Sequence, residues 1–461
     1  MVLAATERTE TAVDTAIDIL RKIGLRLSSK PGVWVIRKEL RTVRRLLRGK
    51  SDEQLLRLPI MTNLEKINAM RILTLLHTHT LLSRVEMNSL TCLKMMQLTL
   101  QFGHSVMSSM AFAVYAVNRL VGGDIKEGCR FAELSLVIQK QHGALEYFPR
   151  VLFTCYSYVF PWVKPFHQCM APLLDARKLA IQTGDIETAA FGSNLYCCLG
   201  FEIGVRLDIL LDKWTNFQKT MTANKQNAPL RMSMAAVQTI RHFMGLTEDP
   251  LDPKGDIYDF DEAATITKTI GATKAHISLR MWQMRLAYFF NDYSLALRCA
   301  LLLPDFERMP TVFLLHATLF IGALIHLQAA REGRNARDSL QTAKTILARF
   351  RKWSLLSPEN YMGRKMLIEA ELDSVEGRPE QAYEKFVCAV ACTRDNPYDH
   401  ALANERLARH LVGLGKLDKA ATFFLVSIAS YRLWGGNGKA ARLESEIGNG
   451  IVLNEGKDDN D

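Results

Sequence analysis

Five stretches carry residue types that can do chemistry, and their spacing decides what each can do. Gly435-Gly436-Asn437-Gly438-Lys439 has the composition of a phosphate cradle. Such a loop needs a Ser or Thr after the lysine and an apolar strand before the glycines. Ala440 follows instead, and a helical pattern ending at Trp434 precedes, so the stretch reads as a helix-to-helix turn. Cys388 and Cys392 share a helix face at i, i+4, a spacing two metal-binding thiols can use, but no second ligand pair stands nearby. Packing inside the fold is the expectation for both. His77 and His79 lie two apart on a helical pattern, so they face different ways and do not share a metal. Thr247 to Asp261 carries six acids but lacks the alternating acids, sixth-position Gly and twelfth-position Glu of a calcium loop. The fifth stretch is basic.

Residues 21–50 hold eleven Lys/Arg against one acid, Glu39, while the whole chain is +10. The remainder is therefore balanced, and the protein has one basic segment rather than a basic surface. Arg37, Arg41, Arg44, Arg45 and Arg48 form a stripe on the helix expected from Trp34 to Arg48, beside an apolar stripe of Ile36, Leu40, Val43 and Leu47. A stripe of this kind suits phosphates of nucleic acid or an anionic surface. Only Trp34 is aromatic nearby, so no base-stacking platform is evident. The plainer reading is a solvated helix face. No His-Glu-x-x-His, Gly-x-Ser-x-Gly or kinase motif set occurs. The chain is expected to be non-catalytic, with no cofactor or metal.

The elements that position these residues are helices. Met366 to Glu444 holds two helix-turn-helix units that read alike: Ala370, Gly377, Ala382, Phe386, Ala389, then Ala408, Gly415, Ala420, Phe424, Ser427. The offsets are the same in both. Small residues let paired helices cross closely, the Phe fills the gap, and the Gly ends the first helix where positive φ is needed. This is the tetratricopeptide pattern of antiparallel pairs. The Gly-to-small offset returns at Gly123/Gly128 and Gly184/Ala189, and at Asn291/Ala296 with Asn in the glycine's place. The expected fold is all-α, a right-handed superhelical array of such pairs.

The expected divisions are an N-terminal half, 1–246; an acidic connector, 247–261, exposed and rich in Pro and Gly; a C-terminal tetratricopeptide-like half, 262–452; and a disordered tail, 453–461. Apolar residues make up 48% of the chain, ample for burial. Nine cysteines, an odd number mostly in apolar surroundings, point to free thiols in a reducing compartment and a cytoplasmic location. The start, Met1 to Arg8, shows no basic region followed by an apolar run, so no secretory signal is expected. Thr311 to Ala330 is long enough to span a bilayer. Gly333 and a further helical pattern follow it, so an inner helix of the array is expected and no membrane span.

Three landmarks resemble a known family: Leu58-Pro59-x-Met61-Thr62 with Lys66 to Met70; Gly245-Leu-Thr-Glu-Asp-Pro-Leu251; and Ala401 to Glu405 through Gly415 and Ala420 to Tyr431-x-x-Trp434-Gly, Lys439 and Leu443-Glu444. Together they look like the helical-repeat region of large multidomain signalling ATPases and sensor kinases. Those proteins carry a kinase-like and a STAND-type ATPase domain before the repeats, and GAF and histidine-kinase domains after. None of these catalytic domains is present, and no nucleotide-binding or phospho-acceptor residue carries over. The resemblance implies a regulatory scaffold in signal transduction whose partners are proteins, a kinase or ATPase among them. The alternative is binding of nucleic acid or an anionic surface through the basic helix at 34–50, with nucleic acid the less expected.

Overall fold

The computed structural model describes residues 9–80, 85–142, 145–249, 251–252, 254–270, 273–303 and 314–455. Among them every regular element is helical; a single bridge pairs Ile60 with His104. The chain divides into two compact units. One comprises Met1–Pro161, Pro172–Ala189 and Pro310–Val312; the other Trp162–Ala171, Ala190–Met309 and Phe313–Asp461.

The first unit contains α1 (Thr9–Lys22), α2 (Val33–Leu47), α3 (Asp52–Leu56), α4 (Leu64–Thr80), α5 (Val85–Phe102), α6 (Ser108–Val121), α7 (Ile125–His142) and α8 (Phe148–Thr154). It also takes the later part of α9 (Phe166–Gln182) and the first turn of α10 (Ile186–Glu202). From α4 onward neighbours in sequence pack on one another, while α1 lies against α4, α2 along α5 and α3 against α7. Ser51 caps α3 reciprocally: its hydroxyl accepts from Gln54 N, and Gln54 Oε1 accepts from Ser51 N.

In the second unit follow α11 (Leu207–Ala223), α12 (Asn227–Met244), α13 (Phe260–Thr269), α14 (Thr273–Phe289), α15 (Tyr293–Leu302), α16 (Leu314–Arg331), α17 (Ala336–Leu356), α18 (Pro358–Val375), α19 (Pro379–Cys392), α20 (Pro397–Gly413), α21 (Leu417–Trp434) and α22 (Asn437–Glu455). From α14 onward they form two layers. α14, α16, α18 and α20 also touch one another in succession, as an inner layer, while α15, α17, α19 and α21 lie outside. The inner helices are apolar or paired all round: eleven residues of α18 and eleven of α20 are buried, against three of α19. A helix hidden on every side needs such a composition. α16 is the one described helix long and apolar enough to cross a membrane, and most of it is buried in the fold. Residues 311–313 of the expected apolar stretch lie outside the described residues.

The turns between paired helices repeat one geometry. After Gly123, Gly184, Asn291, Gly333, Gly377 and Gly415, all at φ between 67° and 85°, the next residue's N–H returns to the carbonyl five residues back. Examples are Arg378 to Asp373 at 2.9 Å and Lys416 to Leu411 at 2.9 Å. This closes the helix's last carbonyls and demands the left-handed conformation. Lys225 takes the same role at φ 54° without a glycine.

The second unit closes on itself. Gly438 at the start of α22 meets Gly245 at the end of α12: a Cβ on Gly438 would stand 2.5 Å from Gly245 N and 2.7 Å from His242 O. Residues 247–261 lie inside this unit, where they join α12 to α13. Their acids serve the local backbone and its neighbours. Asp256 is tied to Arg241 and Gln238, and Asp259 caps α13 by accepting from Asp261 N and Glu262 N, each at 2.9 Å. Positions 250 and 253 of this connector are outside the described residues. α22 continues through 453–455 of the expected tail; 456–461 lie outside the described residues.

Candidate functional site

The repeat residues occupy the interface between the two layers of the second unit. Ala370, Ala382, Phe386, Ala389 and Ala408 have no exposed surface, Ala420 and Phe424 are buried, and Gly377 and Gly415 stand in the left-handed turns. The opposite face of α19 presents Cys388 and Cys392 outward. Both are exposed, a correction to the expected internal packing. The reason is helical phase: Ala382, Phe386 and Ala389 claim the inward side of α19, and residues 388 and 392 fall on the other. Among the described residues no group of three or more metal-ligating side chains converges. His77 is buried and hydrogen-bonded to Asn88, and burial, helped by Arg150, pushes its imidazole down to about 3. The side chain of His79 lies outside the described residues.

The inner side of the α14–α20 layer is filled. Glu202, at the end of α10, receives Arg285 Nη2 at 2.6 Å and Arg364 Nη2 at 2.9 Å. Arg364 Nε also donates to Asp399 Oδ2 at 2.9 Å. All four residues are less than 9% exposed. Arg285 lies over Phe201 and Trp282, each at 4.9 Å, and Phe201 meets Trp434 and Tyr398. Residues 162–166 cover another part: Trp162 packs on Trp353 and Tyr361, and Asn360 donates to Lys164 O and accepts from Phe166 N. An open array would offer this side to a partner; here the chain's own segments occupy it.

What remains open is a groove along the carboxyl ends of α16, α18 and α20, of about 1170 Å³. Its polar wall is Arg331, Glu371, Arg406, Arg409, His410 and Glu446; its apolar wall is Val412, Leu414, Leu417, Phe424 and Leu443. The polar wall is a chain of ion pairs. Glu371 is held by Arg406 and, at 2.7 Å, by Arg331. Arg409 spans Glu405 at 2.8 Å and Glu446 at 2.9 Å. Beneath it Glu405 also receives Lys439 at 3.0 Å and the Tyr431 hydroxyl at 2.8 Å. Burial alone would raise these carboxyls, but the cations outweigh it and hold Glu371 and Glu405 at about 2. Lys439 is completely buried in this network, so the Gly435–Lys439 stretch turns the chain and supplies a structural cation.

The basic stripe belongs to the first unit. Arg37, Arg41, Arg44, Arg45 and Arg48 are all exposed, and none makes an ion pair among the described residues. Arg44, Arg45 and Arg48 border a cleft of about 560 Å³ with Tyr115, Arg119, Asp124, Glu127 and Arg130, where Asp124 pairs with Arg119 and Glu127 with Arg130. On the other side of α2, Val43 has no exposed surface and Glu39 accepts from Lys94 and Gln97, each at 2.7 Å.

Sequence reasoning missed the buried network of Glu202, Arg285, Arg364 and Asp399. A signal existed: Tyr361, Arg364 and Ile368 follow one another at steps of three and four, which places an arginine on an apolar stripe. Such a residue is buried only with a partner.

No protein-family model matches the chain, and a search of curated proteins finds no match. Among solved structures, a "circular tandem repeat protein with novel repeat topology and enhanced subunit contact surfaces" is similar over 98% of this chain and 97% of its own, at 14% identity and a TM-score of 0.14. At that score the likeness carries no argument about function.

Proposed function

We propose that the chain is a non-catalytic scaffold that holds a partner protein in the groove along α16, α18 and α20. The carrying observation is the groove's construction. Its charged wall is fixed by ion pairs before any partner arrives, so little side-chain freedom is lost on binding. Its apolar wall leaves Val412, Leu414 and Leu417 exposed side by side at the α20–α21 turn. A peptide segment with one apolar and one polar face fits both walls. The alternation of inner and outer helices and the shared turn geometry favour tetratricopeptide-like, right-handed pairing. The free thiols favour a reducing, cytoplasmic setting. The resemblance to repeat regions of signalling ATPases suggests a kinase or ATPase as the partner.

The test is affinity purification of the tagged chain from its own cells, with mass spectrometry of what co-elutes, beside a Leu414→Asp/Leu417→Asp variant. Both positions are exposed, so the variant should fold, which circular dichroism checks. A partner retained by the wild type and lost from the variant supports the groove. A partner retained equally by both refutes it. ATP turnover by the purified chain above a denatured control would refute the non-catalytic part.

A further inference from the structure

The groove leaves the arginine face of α2 unused. We propose that this face docks the protein on an anionic lipid bilayer. Trp34 enters the boundary between headgroups and acyl chains, and the arginines lie over the lipid phosphates.

The argument begins with register. Trp34, Arg37, Arg41, Arg44 and Arg48 recur at steps of three and four, so they share one face, about 21 Å long. The helix cannot roll that face inward, because Val43 and the Glu39–Lys94–Gln97 cluster anchor its other side. Charge comes next. Other exposed arginines, such as Arg57 and Arg206, form ion pairs, with Glu53 and Asp208. The five on α2 form no ion pair among the described residues; Asp124 and Glu127, which line the cleft beside Arg44, Arg45 and Arg48, are engaged by Arg119 and Arg130. The α2 arginines present unpaired positive charge to anything negative that approaches.

The tip decides which anion. Trp34 is 75% exposed and Val33 58% exposed, and Val35 is also exposed. The other five tryptophans, Trp162, Trp214, Trp282, Trp353 and Trp434, are buried. An indole in water flanked by valines and followed by arginines is the composition of an interfacial helix, whose ring sits where one side is apolar and the other wet. Single-stranded nucleic acid would call for a row of stacking aromatics along the basic face; here there is one, at the end, among aliphatic residues. The cleft beside Arg44, Arg45 and Arg48, about 560 Å³, has room for a lipid headgroup; the two carboxylates on its wall, Asp124 and Glu127, are engaged by Arg119 and Arg130 and leave the α2 arginines to the headgroup.

The experiment is flotation of the full chain with vesicles of phosphatidylcholine alone and with vesicles containing phosphatidylserine, at low and raised salt. Each arginine engaged on an anionic surface strengthens binding about fivefold. The wild type should therefore bind the anionic vesicles at least roughly a hundredfold better than the neutral ones, and salt should release it. The Arg37→Glu/Arg41→Glu/Arg44→Glu variant should lose about a hundredfold or more. A second readout needs no variant. Because Trp34 is the one exposed tryptophan, anionic vesicles should blue-shift its emission, and brominated acyl chains should quench it. Equal binding to both vesicles, or a triple reversal without effect, overturns the proposal. Binding to duplex DNA or inorganic phosphate without vesicle binding or quenching also overturns it, and moves the stripe to a free-phosphate partner.

Discussion

Replacing Arg364 by methionine tests the closed interior of the second unit. The guanidinium gives Nε to Asp399 at 2.9 Å and Nη2 to Glu202 at 2.9 Å, and it covers the Phe320 ring at 5.2 Å. Methionine keeps the volume and loses the charge. Glu202 would retain Arg285 at 2.6 Å, but Asp399 would keep only the Asn396 amide at 3.2 Å. Breaking a buried pair from one side costs about 3–5 kcal/mol. For a unit of this size each kcal/mol moves the midpoint about 2 °C, so the drop should be roughly 6–10 °C. The variant should also carry a pH signature. Burial already raises the Asp399 carboxyl above its ordinary value, against the pull of Arg364. Without Arg364 it rises further. A carboxyl whose folded pKa exceeds its unfolded one binds its proton first in the folded state. The penalty is therefore full above the folded pKa and fades as pH falls toward the unfolded value. The gap between wild type and variant should narrow as pH falls toward the ordinary carboxylate range. Far-UV circular dichroism gives the midpoints, and hydrogen exchange of α18 and α20 localises the effect. A loss under about 1 kcal/mol, or a gap independent of pH, would refute the reasoning.

Acid should destabilise the second unit in two stages. Burial holds the His242 imidazole at about 4, so its stabilisation is lost as pH falls below 6.5; Glu371 and Glu405, held at about 2, lose theirs below 4.5. Each of the two carboxyls contributes on the order of 3 kcal/mol, and urea midpoints across that pH range read both stages. Gly438→Ala should cost about 1–3 kcal/mol, because three backbone atoms stand in the way, whereas Gly448→Ala, with nothing near it, should be neutral or stabilising; paired thermal melts decide. Native alkylation should modify Cys388 and Cys392 first and leave Cys92, Cys169, Cys198 and Cys299 intact, since burial hides these four and raises their thiols. Peptide mapping by mass spectrometry that found Cys299 labelled as fast as Cys388 would contradict the described core.

The helix pairs were legible because their signals are local. A glycine at the turn, a small residue five positions on and a phenylalanine after it are all set by one hairpin's close packing, and the offsets survive in sequence. Asn291 was legible for the same reason, since Asn tolerates the left-handed turn that Gly123 and Gly377 also occupy. Lys225 was not, because its side chain gives no hint of positive φ. The outward phase of Cys388 and Cys392 was missed because apolar content alone does not say which face of α19 is already taken. The groove and the buried ion network were not legible, since most of their pairs bridge separate hairpins, as Glu371 with Arg406, Gln328 with Arg406, or Glu202 with Arg285 and Arg364. Such pairings follow from how the array closes, and no hairpin encodes that.

Closure also decides where function can sit. In an open array the inner layer is the binding surface. In this unit that layer carries Arg364, Asp399 and Tyr398, and they are spent on Glu202, Phe201 and Trp434 of the same chain. A partner that needed the inner face would have to displace a buried ion pair and an aromatic cluster. Each buried aromatic alone is worth about 3–5 kcal/mol. The helix ends do not face that obstacle. Their ion pairs border solvent and leave room between them, and the exposed leucines of the α20–α21 turn continue the same surface. The proposed scaffold role therefore falls to the rim, and it predicts that substitutions there change partner retention while those in the interior change stability.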